Sequence, residues 1–126
     1  ACPTDWVRFR GTCIHVAVGS TAMTWTACRG NCTSSGAEML CIPDEATNAF
    51  VHSLISYDLW LGYSDAAVEG VWEWNSPCVS SFTKWHGPEP NNIGPSNAPN
   101  ADYCLMYDSS FWDDQTSNNI NYCGCQ

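Results

Sequence analysis

Leu59-Trp60-Leu61-Gly62-Tyr63 is a short apolar run, and Val71-Trp72-Glu73-Trp74 follows it in strict alternation. The first predicts a buried β-strand and the second a half-buried neighbour. Upstream the pattern differs. Thr24 to about Ser34 predicts a helix, because Trp25, Cys28 and Cys32 recur at spacings of three and four on one face. A second helix is predicted from Pro43 to near Tyr57, with proline in its first turn, Asp44 and Glu45 close by, and a core stripe of Ala46, Phe50, Leu54 and Tyr57. Residues 1–18 alternate around Cys2 and Cys13, as a short hairpin closed by a local disulfide would. Downstream, Ser76 to Ala101 is rich in Pro, Asn, Ser and Gly and too long for an ordinary connection, so it predicts a functional loop. Leu105-Met106-Tyr107, Phe111-Trp112 and Asn121-Tyr122-Cys123 complete a set of short late strands. Two helices followed by short strands, with a long loop set into a small antiparallel sheet, make an α+β fold. At 126 residues the chain is expected to be one domain, 1–126.

Composition narrows the function. Thirteen acids stand against Arg8, Arg10, Arg29 and Lys84, a net charge of −9. Four scattered cations cannot assemble a basic face, so nucleic acid and anionic membrane are not expected as partners. No stretch reaches the roughly 18 apolar residues of a membrane span, so membrane insertion is not expected. Nine cysteines place the chain in an oxidising, extracellular setting, and Ala1-Cys2-Pro3 resembles a mature start left by leader removal. None of the cysteines has a histidine at zinc-ligand spacing, so a disulfide framework is expected. An odd count leaves one sulfur free or paired with another chain.

The remaining acids are bunched. Glu89-Pro90-Asn91, Asp102 and Trp112-Asp113-Asp114 gather hard oxygen donors in and around the long loop. Calcium takes six to eight oxygens from carboxylates, amides, carbonyls and water, and four carboxylates with one amide supply most of that shell. A cis Glu89–Pro90 peptide would turn both flanking side chains toward one ion, and cis bonds are largely confined to proline. If coordination positions stay open, a pair of sugar hydroxyls can complete the shell. A catalytic alternative is weaker: His15, His52 and His86 lie far apart in sequence beside no Ser or Cys motif. Glu89 and Asp114 could be paired on paper as glycosidase carboxylates, but a calcium ligand is poorly placed to move protons. No enzyme activity is expected.

This order of motifs resembles the C-type lectin-like domain along essentially the whole chain. Trp25, Cys32, Gly36-Ala37 and Leu40-Cys41-Ile42 are similar to that family's first-helix signature, with Cys28 where alanine is usual. Trp60-Leu61-Gly62-Tyr63 resembles its Trp-Ile-Gly-Leu strand, Trp72 and Trp74 its paired tryptophans, and Trp112-Asp113-Asp114 its Trp-Asn-Asp. Glu89-Pro90-Asn91 resembles its sugar-determining triplet, and Tyr122-Cys123 its closing strand. Within the family the likeness extends to short secreted lectins of marine invertebrates. The resemblance implies a C-type lectin-like fold and a Ca²⁺ cofactor. It assigns Glu89, Asn91, Asp102, Asp113 and Asp114 both to a principal calcium site and to sugar contact. It implies an auxiliary site from Asp65, Glu69 and Asn92. Glu-Pro-Asn goes in the family with equatorial diols, as in mannose, glucose and N-acetylglucosamine, and with fucose by another diol. Gln-Pro-Asp goes with galactose, whose binders usually add a tryptophan where this chain has Ile93. Glycans of mannose type, on glycoproteins or microbial surfaces, are therefore the expected partners. A galactose-type lectin and a protein-binding or structural domain are the alternatives. Asp113 in place of asparagine removes one NH₂ donor to a sugar and adds a charge, and the stretch from Asn92 to Ala101 is longer than the family's compact version. Trp85, His86, Tyr107 and Asn119 are candidate rim residues, with Trp85 favoured as core.

The resemblance also pairs Cys2 with Cys13 and Cys32 with Cys123. Cys28 lies one helical turn before Cys32, and Cys125 lies two residues beyond Cys123 on the same side, so Cys28–Cys125 is a reasonable second bridge, though the partners could be exchanged. Of Cys41, Cys78 and Cys104, Cys78 is the first candidate to pair with Cys104. The leftover sulfur then either links a homodimer or remains a free thiol.

Overall fold

The computed structural model describes residues 2–16, 21–75 and 77–126, with Pro95 described by its backbone alone. Ala1, Ala17 and Val18 of the predicted hairpin, and Ser76 at the start of the predicted long loop, lie outside the described residues.

Two side-chain caps set the helices. Thr24 accepts a hydrogen bond from the Ala27 amide at 3.2 Å and starts α1, Trp25–Ser34, whose Trp25, Cys28 and Cys32 are buried as the spacing predicts. Asp44 accepts from the amide and hydroxyl of Thr47, both at 2.8 Å, and starts α2, Glu45–Ser53. This helix is shorter than the predicted 43–57 span and is turned on its axis. Its buried residues are Thr47, Asn48 and Val51, Ala46 is exposed, and Phe50, Leu54 and Tyr57 only flank the core. Asn48 gives the reason. Its Oδ1 accepts from the Trp112 indole at 2.8 Å and its Nδ2 donates to the Ser110 carbonyl at 3.0 Å, so a polar side chain is drawn inside to satisfy groups that would otherwise be buried unpaired.

The strands form two antiparallel sheets. In one, β1 (Val7–Phe9), β2 (Thr12–Val16) and β7 (Gly124–Cys125) lie in that order, so the two ends of the chain meet. In the other, β3 (Leu59–Ser64) is central, with β4 (Glu73–Trp74) on one side and β5 (Tyr103–Met106) and β6 (Trp112–Gln115) on the other. The late strands are those predicted, shifted by one to three residues. The shift follows from pairing: β5 and β6 run from Tyr103↔Gln115 to Met106↔Trp112, which leaves Tyr107 to Phe111 as their turn. Gly62 answers a close approach. Its amide donates to the Leu40 carbonyl at 2.8 Å, and a β-carbon there would stand 3.0 Å from both that oxygen and Met39 Cβ. Trp60 and Trp112 are fully buried, and the indoles of Trp60 and Trp25 donate to the carbonyls of Met23 and Leu61, each at 2.8 Å.

Four disulfides bind this frame, and their pairing corrects the sequence reading in two places. Cys2–Cys13 closes the first hairpin, but Cys28 pairs with Cys123 and Cys32 with Cys125. After α1 the chain folds back so that Met39 bridges Cys125, which sets Cys125 beside the last turn of the helix and leaves Cys123 beside the earlier one. The fourth bridge is Cys41–Cys78, not Cys78–Cys104. Cys104 is the free thiol, with no exposed surface, and it cannot supply a bridge to a second chain from that position.

Candidate metal and ligand site

The long loop leaves β4, packs Trp85 against Trp72 and Trp112, and turns at a cis Glu89–Pro90 peptide. Beyond it Asn92, Ser96, Asn97 and Asn100 all have φ between 56° and 62°, a left-handed backbone that asparagine tolerates better than most residues. Two acidic groups result. Glu89, Asp113 and Asp114 each offer an oxygen within 4.8 Å of the others, and so do Asp65, Glu69 and Asp102. Asp102 thus sits with the residues expected at an auxiliary site, while its carboxyl still feels Asp114. The two groups adjoin across a cleft of about 290 Å³ that Asp65, Glu69, Asn91, Asn92 and Asp114 all line.

The donor inventory of this region is one-sided. Asp65 Oδ1, Glu89 Oε1, Asn92 Oδ1, Asp102 Oδ1 and Asp114 Oδ1 are all buried and accept no hydrogen bond. Each such atom costs on the order of 1–3 kcal/mol when left unpaired. Five lone acceptors with no donor among them suit a hard cation and nothing apolar. Asn91 is exposed and its Oδ1 accepts from the Ile93 amide at 3.0 Å, while the Asn92 amide donates to Asp114 Oδ2 at 2.6 Å.

The carboxyls respond to one another. Burial, then contact with Asp113 and Asp114, raises Glu89 to about 7. Glu69 is raised to about 7 as well, chiefly by the Asp65 carboxylate beside it. Burial also raises Asp102 and Asp114. The third cluster of potential ligand atoms, Cys28, Cys32 and Cys123, is consumed by disulfides.

Asp113 differs from its neighbours in having partners for both of its carboxylate oxygens. Its Oδ2 accepts from the Tyr107 hydroxyl and from Gln115 Nε2 at 2.7 Å, and its Oδ1 accepts from the Asp114 amide at 2.9 Å. Asn119 in turn donates to Gln115 Oε1 at 2.5 Å. Gln115 was not among the predicted site residues. The signal was present, since a buried aspartate on a strand needs a donor and the residue two along shares its face. Of the rim candidates, Trp85 is half-buried in the aromatic core, whereas His86 is exposed, with Tyr107 and Phe111 at ring-centroid distances of 6.4 and 6.2 Å.

The family profile described as "Lectin C-type domain" matches residues 21–126. The chain belongs to the C-type lectin domain family. A curated relative, C-type lectin domain family 4 member M of Nomascus concolor, is 31% identical over 131 aligned residues, covering 99% of this chain and 31% of that protein. The chain spans about a third of the length of the curated relatives it matches. Among solved structures, the human scavenger receptor C-type lectin carbohydrate-recognition domain superposes with a TM-score of 0.89 at 19% identity, covering 99% of this chain and 97% of that one. A Ca²⁺-dependent type II antifreeze protein in its Ca²⁺-free form gives 0.86 at 26% identity, with 98% of each chain covered. C-type lectin domains are binding modules that generally hold Ca²⁺, and the acidic groups of this one lie on the loop and sheet elements described above. No helix among the described residues is long and apolar enough to cross a membrane.

Proposed function

We propose that this C-type lectin domain, residues 1–126, is a calcium-dependent carbohydrate-recognition domain of a secreted protein. It takes a vicinal diol of mannose type: mannose, N-acetylglucosamine or fucose. The observation that carries the reading is the set of five buried, unpartnered oxygens on Asp65, Glu89, Asn92, Asp102 and Asp114. Glu89, Asn91, Asp113 and Asp114, with Asp102 beside them, would hold the ion that meets the sugar. Asp65, Glu69 and Asn92, sharing Asp102, would hold a second. Bound calcium supplies positive charge that lets these carboxyls ionise together and offers open positions to two hydroxyls. The chain's own residues then orient the diol: a carboxylate such as Glu89 accepts from a hydroxyl, and the Asn91 amide donates to its oxygen.

Asp113 modifies this arrangement. Its Oδ2 already accepts from Tyr107 and Gln115, so it holds the wall of the site through the protein and leaves sugar contact mainly to the triplet. The four disulfides support a secreted setting. Because shallow sugar sites bind weakly, pairing of two domains in a homodimer would raise avidity without new contacts.

The likeness to the Ca²⁺-dependent antifreeze protein favours one other reading, in which the same acidic surface meets a non-sugar target. Exchanging the triplet tests the choice. Glu89→Gln with Asn91→Asp should abolish retention on immobilised mannose and confer retention on immobilised galactose. A variant that keeps the wild-type preference would reject the triplet's role, and a wild-type chain that binds neither resin in calcium would favour the non-sugar reading.

A further inference from the structure

Three indoles of this chain have acceptors, and a fourth, buried at its nitrogen, does not. Trp25 donates to the Leu61 carbonyl, Trp60 to the Met23 carbonyl and Trp112 to Asn48 Oδ1, each at 2.8 Å. Trp74 Nε1 is shut off from solvent and, among the described residues, donates to nothing. The next residue repeats the pattern. Asn75 is 9% exposed, and its Nδ2 is buried without an acceptor among the described residues. A buried donor is rarely left so, because it forfeits the hydrogen bonds that water would supply. Both residues are held in place. The Trp74 ring stacks on Tyr63 at 4.3 Å and meets Trp112 edge-on at 5.7 Å, and the Asn75 amide donates to the Gly62 carbonyl at 2.8 Å.

Trp74 and Asn75 line a cleft of about 400 Å³ that shares no lining residue with the cleft of the acidic groups. Its size falls in the range of small-molecule sites. Trp25 and Tyr103, tilted by 33° with ring centroids 4.7 Å apart, give it an aromatic wall, and Arg29 stands in the same lining. Arg29 is loosely committed. Its contact with Glu38 is 3.6 Å long, against 2.7 Å for Arg10 with Asp44 and 2.9 Å for Lys84 with Glu45. A guanidinium carries five N–H donors, so most of these stay free for a ligand. Two neutral donors, a cation and an aromatic wall suit a ligand with acceptor oxygens at one end and a flat apolar body. A carboxylate answers the donors best, because its two oxygens take several hydrogen bonds and pair with a guanidinium. The acid in the lining, Glu73, is exposed, so solvent and salt screen it.

We infer that the cleft at Trp74, Asn75 and Arg29 is a binding site for a small aromatic carboxylate, separate from the acidic groups. The site stands whether or not calcium and sugar bind elsewhere. Its test therefore uses metal-free protein, in which no calcium-bound carboxylate can contribute. Phenylacetate, phenylacetamide and benzylammonium are titrated in turn into the isotopically labelled chain, and the magnetic resonance signals of the Trp74 indole N–H and the Asn75 side-chain amide are followed. Phenylacetate should shift both signals saturably. Phenylacetamide, which keeps a carbonyl but no charge, should bind several-fold more weakly, and benzylammonium, which has no acceptor, should shift neither. Arg29→Gln, at a side chain 46% exposed, should weaken phenylacetate roughly 3–10-fold, the scale of one charge-assisted hydrogen bond. Asn75→Asp, close in shape but with a negative charge in place of the donor, should abolish binding while the rest of the spectrum reports an intact fold. Absence of any saturable shift in the wild-type chain would mean that the cleft holds water only, and the site would be rejected. Equal affinity for phenylacetate and phenylacetamide would overturn the carboxylate, and an affinity unchanged in both variants would overturn the placement.

Discussion

In the metal-free chain the carboxyls of Glu89 and Glu69 are raised to about 7, the first by burial and the second by Asp65. An unfolded glutamate titrates near 4.3. Folding therefore tightens proton binding at these two groups, so their contribution to metal-free stability is fully present below about pH 4.3 and is lost as pH rises through about 7. Calcium should reverse the trend, because it favours the ionised forms. Melting temperatures in EDTA and in calcium across pH 5–8 should accordingly diverge upward, and parallel curves would refute the coupling. Calcium affinity should fall as pH drops below 7, with protons released on binding, which calorimetry in buffers of different ionisation enthalpy can count. At this scale the chain motifs picked out Glu89, Asp113 and Asp114, whose oxygens the structure brings within 4.8 Å of one another. They did not disclose that Tyr107 holds Asp113 across the turn, nor that Asp102 stands with Asp65 and Glu69. Those depend on which strand registers are adopted, and register is not written in composition.

Among the elements, α1 was legible almost to the residue because its cap and its buried face are both local features. The rotation of α2 was not. Its core face is decided by Asn48, a polar residue that periodicity assigns to solvent, and by Trp112, 64 positions later in the chain. Asn48→Leu should leave the Trp112 indole and the Ser110 carbonyl without partners and cost about 2–4 kcal/mol in chemical denaturation. A cost under 0.5 kcal/mol would mean that the pair is dispensable. Gly62→Ala places a methyl 3.0 Å from Leu40 O and Met39 Cβ, and overpacking of that kind costs about 1–3 kcal/mol. The late strands were foreseen in number but misplaced by up to three residues, since short apolar runs do not mark where a hydrogen-bonded ladder begins.

Across the whole molecule, two sheets and four disulfides hold a loop that has little secondary structure of its own. Cys41–Cys78 ties the first part of that loop to the segment before α2, over a sequence separation of 37. Its removal by Cys41→Ser with Cys78→Ser should cost roughly 2–4 kcal/mol and weaken calcium binding, because the unfolded chain and the loop both gain freedom. The native chain should show no thiol reactive toward a water-soluble reagent, and one after denaturation, from buried Cys104. On a non-reducing gel it should run as a single chain. The pairing of eight sulfurs could not be settled by spacing, because Cys28 and Cys32 face Cys123 and Cys125 in either combination until the return of the chain at Met39 is known. The fold as a whole was legible because its signals are spread over the full length: a capped helix, a Trp-Leu-Gly strand and a triplet in a long loop.

The central claim is that sugar binding runs through calcium held by this chain's carboxylates. The most direct test is calorimetric titration of methyl α-mannoside into wild-type protein and into Glu89→Gln, each in calcium and in EDTA. The account predicts weak, saturable binding for wild type in calcium only, abolished by EDTA and lost in Glu89→Gln. Equal binding in EDTA, or undiminished binding in Glu89→Gln, would contradict it.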